Sequence, residues 1–314
     1  MPLIHFFSQN RMSSFILLFG CLLLGLILRR VPDFPRNSPL VLNQFIIYIS
    51  MPALALYFIP EVALDSAVLL PVAVAWICFG GAALLFWSLG NTFGWSRKLI
   101  GCLILTAGFG NTSFIGFPVI EAIYGKEGLK TAILVDQPGT FMVLSTLGIA
   151  LAAYFSRGEA GTGGIVKRII RFPPFLMFVL ALGINLVGWH FPAEMKDVFQ
   201  RLGSTVSPLA LVSVGMQLKV ERRSRHWGFL ALGLVYQLVL APLLIWLLYV
   251  PMMGQRGQVV QVCVLEAAMA PMITASIVAA SYGLKPRLAN MMVGIGIPVS
   301  ILTLAAWYWL VQGI

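Results

Sequence analysis

Charged residues are scarce in this chain: Asp, Glu, Lys and Arg make up 10% of its 314 residues, whereas soluble domains carry about 25%. Hydrophobic residues reach 59%, and the apolar runs extend to the ~20 residues that cross the hydrocarbon core of a bilayer. The composition excludes a soluble domain. The long apolar runs also exclude an outer-membrane barrel, whose strands have about 10 residues of alternating polarity. The sequence therefore predicts an all-α polytopic membrane protein.

Cysteine and histidine are also few, and neither has the spacing of a metal site or a disulfide framework. The four cysteines, Cys21, Cys78, Cys102 and Cys263, lie singly inside apolar runs, where a small packing role is expected. The chain has no Gly-x-x-x-x-Gly-Lys run, so it is not itself an ATP-driven pump. Without a His-Glu-x-x-His run, an intramembrane enzyme is also not expected. We expect no cofactor other than a coupling ion.

Ten spans are predicted from the apolar runs, with loops that alternate between two sides of the membrane. They cover roughly 13–28, 39–59, 67–89, 98–123, 129–155, 173–189, 195–217, 227–250, 257–281 and 287–311. Five of these spans fall in residues 1–155 and five in residues 173–314. A glycine-rich linker at 156–172 joins the two halves.

The basic residues divide unevenly between the two sides. Six lie on the side that holds both termini, and fifteen lie on the other. Because Lys and Arg stay cytoplasmic during insertion, both termini are predicted on the non-cytoplasmic side of the inner (plasma) membrane. This placement accounts for the net charge of +10, helped by attraction to anionic lipid head groups. We expect lipid contact and no nucleic-acid partner.

Helix breakers interrupt two of the predicted spans. The fourth contains Gly108 and Gly110, followed by Gly116 and Pro118, and the ninth contains Pro271. An unpaired N–H or C=O facing lipid costs several kcal/mol, so loose backbone survives only where it lines a protein-enclosed or watery cavity. Matching breaks in two halves of a chain are typical of the substrate site of a secondary transporter.

Proline and glycine recur at matching places in the two halves. Tyr124-Gly125 closes the fourth span, and Tyr282-Gly283 closes the ninth, 158 residues later. The proline pairs are Pro52 with Pro208, 156 residues apart, and Pro138 with Pro298, 160 residues apart. Each half has an odd number of spans, so the second half must lie upside down relative to the first. The pattern predicts two inverted five-helix repeats.

Residues around the two breaks carry a resemblance to a known family. In the fourth span and the loop after it, these residues are Asn111, Gly116, Pro118, Gly125 and Gly128. Around the ninth span they are Ala267-Ala268-Met269-Ala270-Pro271, then Tyr282-Gly283-Leu284-Lys285-Pro286 and Ala289. Both sets resemble motifs of the auxin efflux carrier family, the bacterial relatives of plant PIN-type carriers, within the bile acid/sodium symporter-like superfamily. The resemblance covers the whole chain in span count, order and orientation.

The resemblance implies a ten-span carrier built from a scaffold domain and a transport domain. The broken fourth and ninth helices would cross at the core of the transport domain. The resemblance also implies substrates that are small organic anions, such as auxin or dicarboxylates like malonate. A homodimer is implied by the same resemblance.

Polar residues at the first break are candidates for substrate binding. Asn111, Thr112 and Ser113 supply amide and hydroxyl groups where the second half of the broken helix begins. A helix start carries free N–H groups and a partial positive charge, which favour a carboxylate. We predict that these residues bind the substrate carboxylate or water; the alternative is that they only cap the helix. The predicted site residues at the second break are Met269, Ala270 and Pro271.

Two carboxylates lie inside predicted spans, Glu266 in the ninth and Asp136 in the fifth. A charged group at the centre of a bilayer costs at least ~2.5 kcal/mol, so such residues are functional candidates. No Lys or Arg lies well inside a span, and an unpaired carboxylate must take up a proton or bind a cation. Glu266 is therefore a predicted ion-coupling residue, with a sodium ion or a proton as its ligand. The alternative for Glu266 is structural hydrogen bonding. Asp136 is predicted to join the same network, together with Gln137, which the family resemblance also indicates, whereas Glu121 is expected to be solvated.

The predicted function is secondary transport of a small organic anion by alternating access, in which the transport domain shifts against the scaffold. Coupling to a proton, coupling to sodium and a uniport driven by the membrane potential all stay open. A sodium-coupled symporter of the bile-acid type is an alternative with the same broad architecture. A non-transporting membrane sensor is an alternative of a different class.

Overall fold

A computed structural model describes residues 9–35, 37–61, 68–156, 173–217 and 227–314. Every named element in these ranges is a helix, so the described part of the chain is all-α, as predicted. The predicted linker at 156–172 lies outside the described residues, except for Ser156, which ends a helix.

Most of the helical residues are in α-helices. In chain order, the α-helices of the described ranges are α1 (Gln9–Leu28), α2 (Ser38–Phe45), α3 (Met51–Phe58), α4 (Leu69–Thr92), α5 (Arg97–Ala107), α6 (Phe117–Val135), α7 (Ile149–Ser156), α8 (Pro173–Val187), α9 (Ala193–Gly203), α10 (Val206–Gln217), α11 (Trp227–Val235), α12 (Ala241–Leu247), α13 (Gln258–Ala267), α14 (Ile273–Ser281) and α15 (Pro286–Val311). The π-helical segments between them are Ile46–Ser50, Thr112–Gly116, Asp136–Phe141, Leu144–Gly148, Tyr236–Leu240 and Leu248–Met252.

Several helices have the length and the apolar composition that are needed to cross a bilayer. Five helical stretches of the described residues are long and apolar enough to cross a membrane: Ser38–Glu61, Leu69–Thr92, Thr112–Ser156, Trp227–Met252 and Pro286–Val311. Shorter apolar helices are Phe19–Leu28, Leu176–Val187 and Gln258–Ala267. Large apolar side chains cover their outer surfaces; Leu84, Leu186 and Leu302 are 74%, 71% and 74% exposed. Such surfaces suit lipid, and the protein is a multi-pass membrane protein.

Proline accounts for much of the π-helical geometry. Pro138 and Pro251 lie inside π-helical segments, and Pro52 and Pro242 follow closely after two others. Proline lacks an N–H and its ring clashes with the carbonyl of the preceding turn, so it disfavours an undistorted α-helix, although Pro298 lies inside α15. A wider turn relieves the clash and keeps the chain helical.

The junction between the fourth and fifth predicted spans differs from the expected loop. Thr112–Ser156 is a continuous run of helical segments, and the interruption lies at Gly125, with φ 66° and ψ −156°. Glycine adopts this left-handed region without steric cost, which explains why a sharp kink takes the place of a loop. Gly283 has a similar φ of 69°.

The chain packs into two compact units, and each unit combines segments from both halves of the sequence. The first unit comprises residues 1–64, 113–133 and 172–218. The second comprises residues 65–112, 134–171 and 219–314.

In the first unit, α1 and α10 pack against each other through glycines. A Cβ added at Gly25 would lie 2.8 Å from the Cα of Gly215 and would overlap the carbonyl oxygen of Val212. A Cβ added at Gly215 would lie 3.0 Å from the Cα of Gly25. Small residues allow two backbones to approach this closely, which is a common way to associate helices in a membrane.

In the second unit, buried aromatic side chains connect the helices through their polar tips. The Tyr236 hydroxyl donates to the Cys78 carbonyl at 2.5 Å, and the Tyr249 hydroxyl donates to the Leu70 carbonyl at 2.6 Å. The Trp307 ring N–H donates to the Leu238 carbonyl at 2.9 Å. These bonds satisfy donors that would otherwise be unpaired in an apolar interior.

Candidate functional site

Two helices of the second unit, α5 and α13, each end at a non-helical stretch. α5 ends at Ala107, and helical structure resumes at Thr112; α13 ends at Ala267, and α14 begins at Ile273. The non-helical stretches are therefore Gly108 to Asn111 and Ala268 to Met272.

The two unwound stretches pair with each other in an antiparallel bridge between Gly110 and Pro271. The Asn111 N–H donates to the Ala270 carbonyl at 2.7 Å, and the Met272 N–H donates to the Phe109 carbonyl at 2.9 Å. Backbone groups that leave a helix inside a membrane need new partners. Here each break supplies backbone partners for the other, so the two unwound stretches are held together at these residues.

Glycine and proline suit their positions in the bridge. A Cβ at Gly110 would lie 3.1 Å from the Glu266 carbonyl oxygen and 3.2 Å from the Gln237 amide nitrogen, so only glycine fits without movement. Gly108 is similarly confined, since a Cβ there would lie 3.0 Å from the Cβ of Ala82. Pro271 needs no N–H, because the bridging bonds come from its neighbours.

Gly116 and Pro118, predicted as helix breakers, lie in helical structure after the break. Gly116 ends the π-helical segment Thr112–Gly116, and Pro118 is the second residue of α6. Proline is tolerated at the start of an α-helix, and the π-helical turn before it accommodates the missing N–H. The unwinding at the first break is thus confined to Gly108 through Asn111.

The predicted substrate-binding residues of the first break are all buried. Asn111, Thr112 and Ser113 are 1%, 3% and 4% exposed. The Thr112 hydroxyl donates to Oδ1 of Asp136 at 2.6 Å, which links a predicted binding residue to a predicted coupling residue. Ser113 is the first residue of the segment assigned to the other compact unit.

At the second break, Met269, Ala270 and Pro271 are also buried, and they contribute backbone rather than side-chain polar groups. The Ala270 carbonyl accepts the bond from Asn111, and the Met269 carbonyl accepts a bond from Gln237. This unwound stretch therefore offers carbonyl oxygens inside an apolar interior, together with the start of α14.

The predicted coupling residues lie deep in the second unit. Glu266 is 0% exposed, and no described residue forms a hydrogen bond with either of its carboxylate oxygens. Asp136 is 1% exposed, and its Oδ1 accepts the hydrogen bond from the Thr112 hydroxyl. The buried Gln137 amide has no hydrogen-bond partner among the described residues. Two carboxylates so placed favour uptake of a proton or a cation.

Gln237 is a residue of this site that the sequence analysis missed. Its side chain is 1% exposed, and Nε2 donates to the carbonyls of Met269 at 3.0 Å and Ala267 at 3.4 Å. Its Oε1 has no partner among the described residues. The signal in the sequence was an amide at the middle of an otherwise apolar span. Without the fold, nothing connects it to a break 30 residues further along the chain.

A small cavity lies beside the bridge. It has about 10 Å³ open to the centre of a water molecule, which is room for about one water or one unhydrated ion. The polar residues among its lining are Thr112, Thr140, Gln237 and Glu266. Carboxylate, amide, hydroxyl and carbonyl oxygens are the ligands that hard cations prefer. The same oxygens suit a protonated carboxyl group or a bound water.

Comparison with known proteins gives a consistent picture. The family described as membrane transport protein matches residues 12–161 and 162–308. An uncharacterized transporter of Methanothermobacter thermautotrophicus is 30% identical over 91% of this chain and 93% of its own length. An uncharacterized transporter of Methanocaldococcus jannaschii is 27% identical over 86% and 89%. A putative malonate transporter of Rhizobium meliloti is 22% identical over 94% and 93%.

These matches run along nearly the whole chain, as did the resemblance of the motifs around the two breaks. The chain therefore belongs to the membrane transport protein family, which is the auxin efflux carrier family indicated by those motifs.

Proposed function

We propose that this protein is a secondary transporter of small organic anions, auxin-like or malonate-like carboxylates, that works by elevator-type alternating access. The observation that carries the proposal is the bridge between the two unwound stretches at Gly110 and Pro271. Interrupted helices that meet inside a membrane place free helix ends and carbonyl groups at one point, which is where secondary transporters bind their substrates.

The proposed architecture is ten spans in two inverted five-helix repeats, residues 1–155 and 173–314, with both termini on the non-cytoplasmic side. The similar left-handed φ of Gly125 and Gly283 supports the repeat, because these glycines occupy matching places in the two halves. The proposal assigns the scaffold and transport roles to the two compact units, each of which is drawn from both halves. The proposal includes a homodimer, and its support is the membership of the family alone.

The substrate carboxylate is proposed to bind where the helices restart after each break. The N–H groups at the start of a helix carry a partial positive charge that attracts anions. One such start is at Thr112, between Asn111 and Ser113. The other is the start of α14, which follows Pro271. The name of the Rhizobium meliloti relative, a putative malonate transporter, supports a dicarboxylate as the first substrate to test.

Glu266, Asp136 and Gln137 are proposed to couple transport to a proton or a sodium ion. The support is the cavity beside the bridge, together with the two buried carboxylates and the amide oxygen of Gln237, which has no hydrogen-bond partner in the described ranges. A sodium-coupled symporter of the bile-acid type is the second candidate, favoured by these same cation-binding oxygens. A sensor without transport activity is the candidate of a different class. An enzymatic role is not proposed, since the relatives are named as transporters.

The proposal is tested with purified protein in liposomes preloaded with unlabelled malonate. We expect exchange for external labelled malonate, and we expect Asn111→Ala to abolish it while the variant remains folded. Asn91→Ala, at the exposed end of α4, is the matched control and should exchange at the wild-type rate. Replacing sodium by potassium separates sodium coupling from the other modes. No exchange of any small organic acid by the wild type would contradict transport, and exchange by Asn111→Ala would remove Asn111 from the site.

A further inference from the structure

The first compact unit contains a cavity of its own. It has about 50 Å³ open to the centre of a water molecule, on the order of four water molecules. Its walls come from α3, α6, α9 and the start of α10. The cavity is partly open to the surface, so a small molecule can enter without unfolding the unit.

An acidic side chain stands on one wall of this first-unit cavity. Glu121 is half-buried. The hydroxyl of Ser207, itself buried, donates to Oε2 of Glu121 at 2.6 Å. No described residue forms a hydrogen bond with the other carboxylate oxygen. The Ser207 bond thus orients the carboxylate, and one oxygen stays open to a ligand.

A basic side chain lies on the same cavity. Lys126 is exposed, and its ammonium lies 5.8 Å from the centre of the Tyr57 ring, where the ring face attracts a cation. Within the described residues, no ion pair joins Lys126 or Glu121 to an opposite charge. The cavity therefore holds one positive and one negative group that do not neutralise each other.

The lining also contains the amide side chain of Gln200. The Tyr57 hydroxyl donates to Oε1 of Gln200 at 3.0 Å, which leaves a second lone pair on that oxygen and the two amide hydrogens available. Between the polar groups the wall is apolar and buried, formed by Leu54, Phe58 and Phe117 among others. Low polarity around charged groups strengthens their interaction with a bound charge.

We propose that the first-unit cavity binds a small amino acid in its zwitterionic form. The ammonium of the ligand would pair with Glu121 and the Gln200 amide oxygen, and its carboxylate would pair with Lys126. A simple anion would be repelled by Glu121, a simple cation would be repelled by Lys126, and a neutral molecule would leave both charges unpaired. The size of the cavity restricts the ligand to a few heavy atoms. This inference does not rest on the proposed transport function.

The test is isothermal titration of the purified full-length protein with L-alanine, propionate and ethylamine. Propionate lacks the ammonium of alanine, and ethylamine lacks its carboxylate. We expect alanine to bind and each analogue to bind at least tenfold more weakly, because each leaves one cavity charge without a partner.

Variants identify the site of binding. Glu121→Gln and Lys126→Met should each weaken alanine binding at least tenfold. The matched control is Glu127→Gln, an exposed residue next to Lys126 that pairs with Lys130 and should leave the affinity unchanged. Lys126 is exposed, so its variant is expected to fold even if Glu121→Gln lowers stability. Thermal unfolding without ligand checks this point.

Three outcomes would overturn the inference: propionate binding as tightly as alanine, alanine binding that survives both variants, and no heat of binding for alanine at tens of millimolar. None of them would bear on malonate exchange in liposomes, which depends on Asn111 in the second unit. Failure of this inference and failure of the transport proposal can therefore be told apart.

Discussion

At the scale of single residues, Glu266 and Gln237 are both buried in the second unit but differ in their hydrogen bonding. The Glu266 carboxylate is fully buried and receives no hydrogen bond from any described residue. Gln237 donates to the carbonyl of Ala267, the last residue of α13, and to the carbonyl of Met269 in the unwound stretch that follows. Burying a charge without a partner costs free energy, so a residue of this kind is a candidate for function. A hydrogen-bonded amide instead stabilises the backbone around it.

The carboxylate is predicted to carry the coupling. Glu266→Gln removes the charge and the titrating proton but keeps the shape of the side chain. We expect malonate exchange between equal pools to continue and gradient-driven accumulation to fall at least tenfold, measured in liposomes with an imposed proton or sodium gradient. Glu127→Gln, exposed and on α6, serves as the control. Accumulation at the wild-type level by Glu266→Gln would show that coupling does not pass through this residue.

The amide is predicted to hold the second break in place. Gln237→Leu is similar in size but leaves the Met269 carbonyl without its donor, which should destabilise the protein by about 1–3 kcal/mol. Thermal unfolding in detergent measures the loss. Gln261→Leu, which removes a bond to the Ile314 carbonyl near the chain end, should cost less than about 0.5 kcal/mol. Equal effects of the two changes would contradict a special role for Gln237.

At the scale of helices, the contact between α1 and α10 depends on glycine at one position of α1 and not at another. A Cβ at Gly25 overlaps the Val212 carbonyl oxygen, whereas a Cβ at Gly20 meets nothing within 4 Å. We predict that Gly25→Ala destabilises the protein by about 1–3 kcal/mol through overpacking. Gly20→Ala on the same helix should stabilise it by up to ~1 kcal/mol, because alanine is the better helix former. Thermal unfolding that ranks the two variants the other way would refute the packing described for α1.

The sequence analysis selected glycine and proline as helix breakers because both residue types disfavour a continuous helix. Gly108, Gly110 and Pro271 lie in the unwound stretches. Gly116 and Pro118 lie in helical segments, because proline near a helix start and glycine in a π-helical turn are both compatible with helix. The pairing of Gly110 with Pro271 could not be read from spacing, since it joins backbones 161 residues apart. Gln237 was missed for the same reason.

At the scale of the whole molecule, the membrane class and the family could be predicted from the sequence, because both depend on composition and local motifs. The division into compact units was harder to foresee, since each unit combines segments from both halves. The sidedness of the chain stays a prediction from the six-to-fifteen distribution of Lys and Arg.

Sidedness is tested by thiol labelling in intact cells. Glu127→Cys is expected outside and Arg287→Cys inside, and both native side chains are exposed. A membrane-impermeant maleimide should label Glu127→Cys in intact cells and Arg287→Cys only after permeabilisation. Cys78, Cys102 and Cys263 are buried and should contribute little background. The reverse labelling pattern would place both termini in the cytoplasm.

The claim that the bridged breaks form the anion site is tested most directly by an experimental density map of the protein saturated with the organic acid that it exchanges fastest. We predict density for the acid beside Asn111 and Thr112, at the start of the helix that follows the bridge between Gly110 and Pro271. Density for the acid elsewhere, or continuous helices through both stretches, would contradict the account.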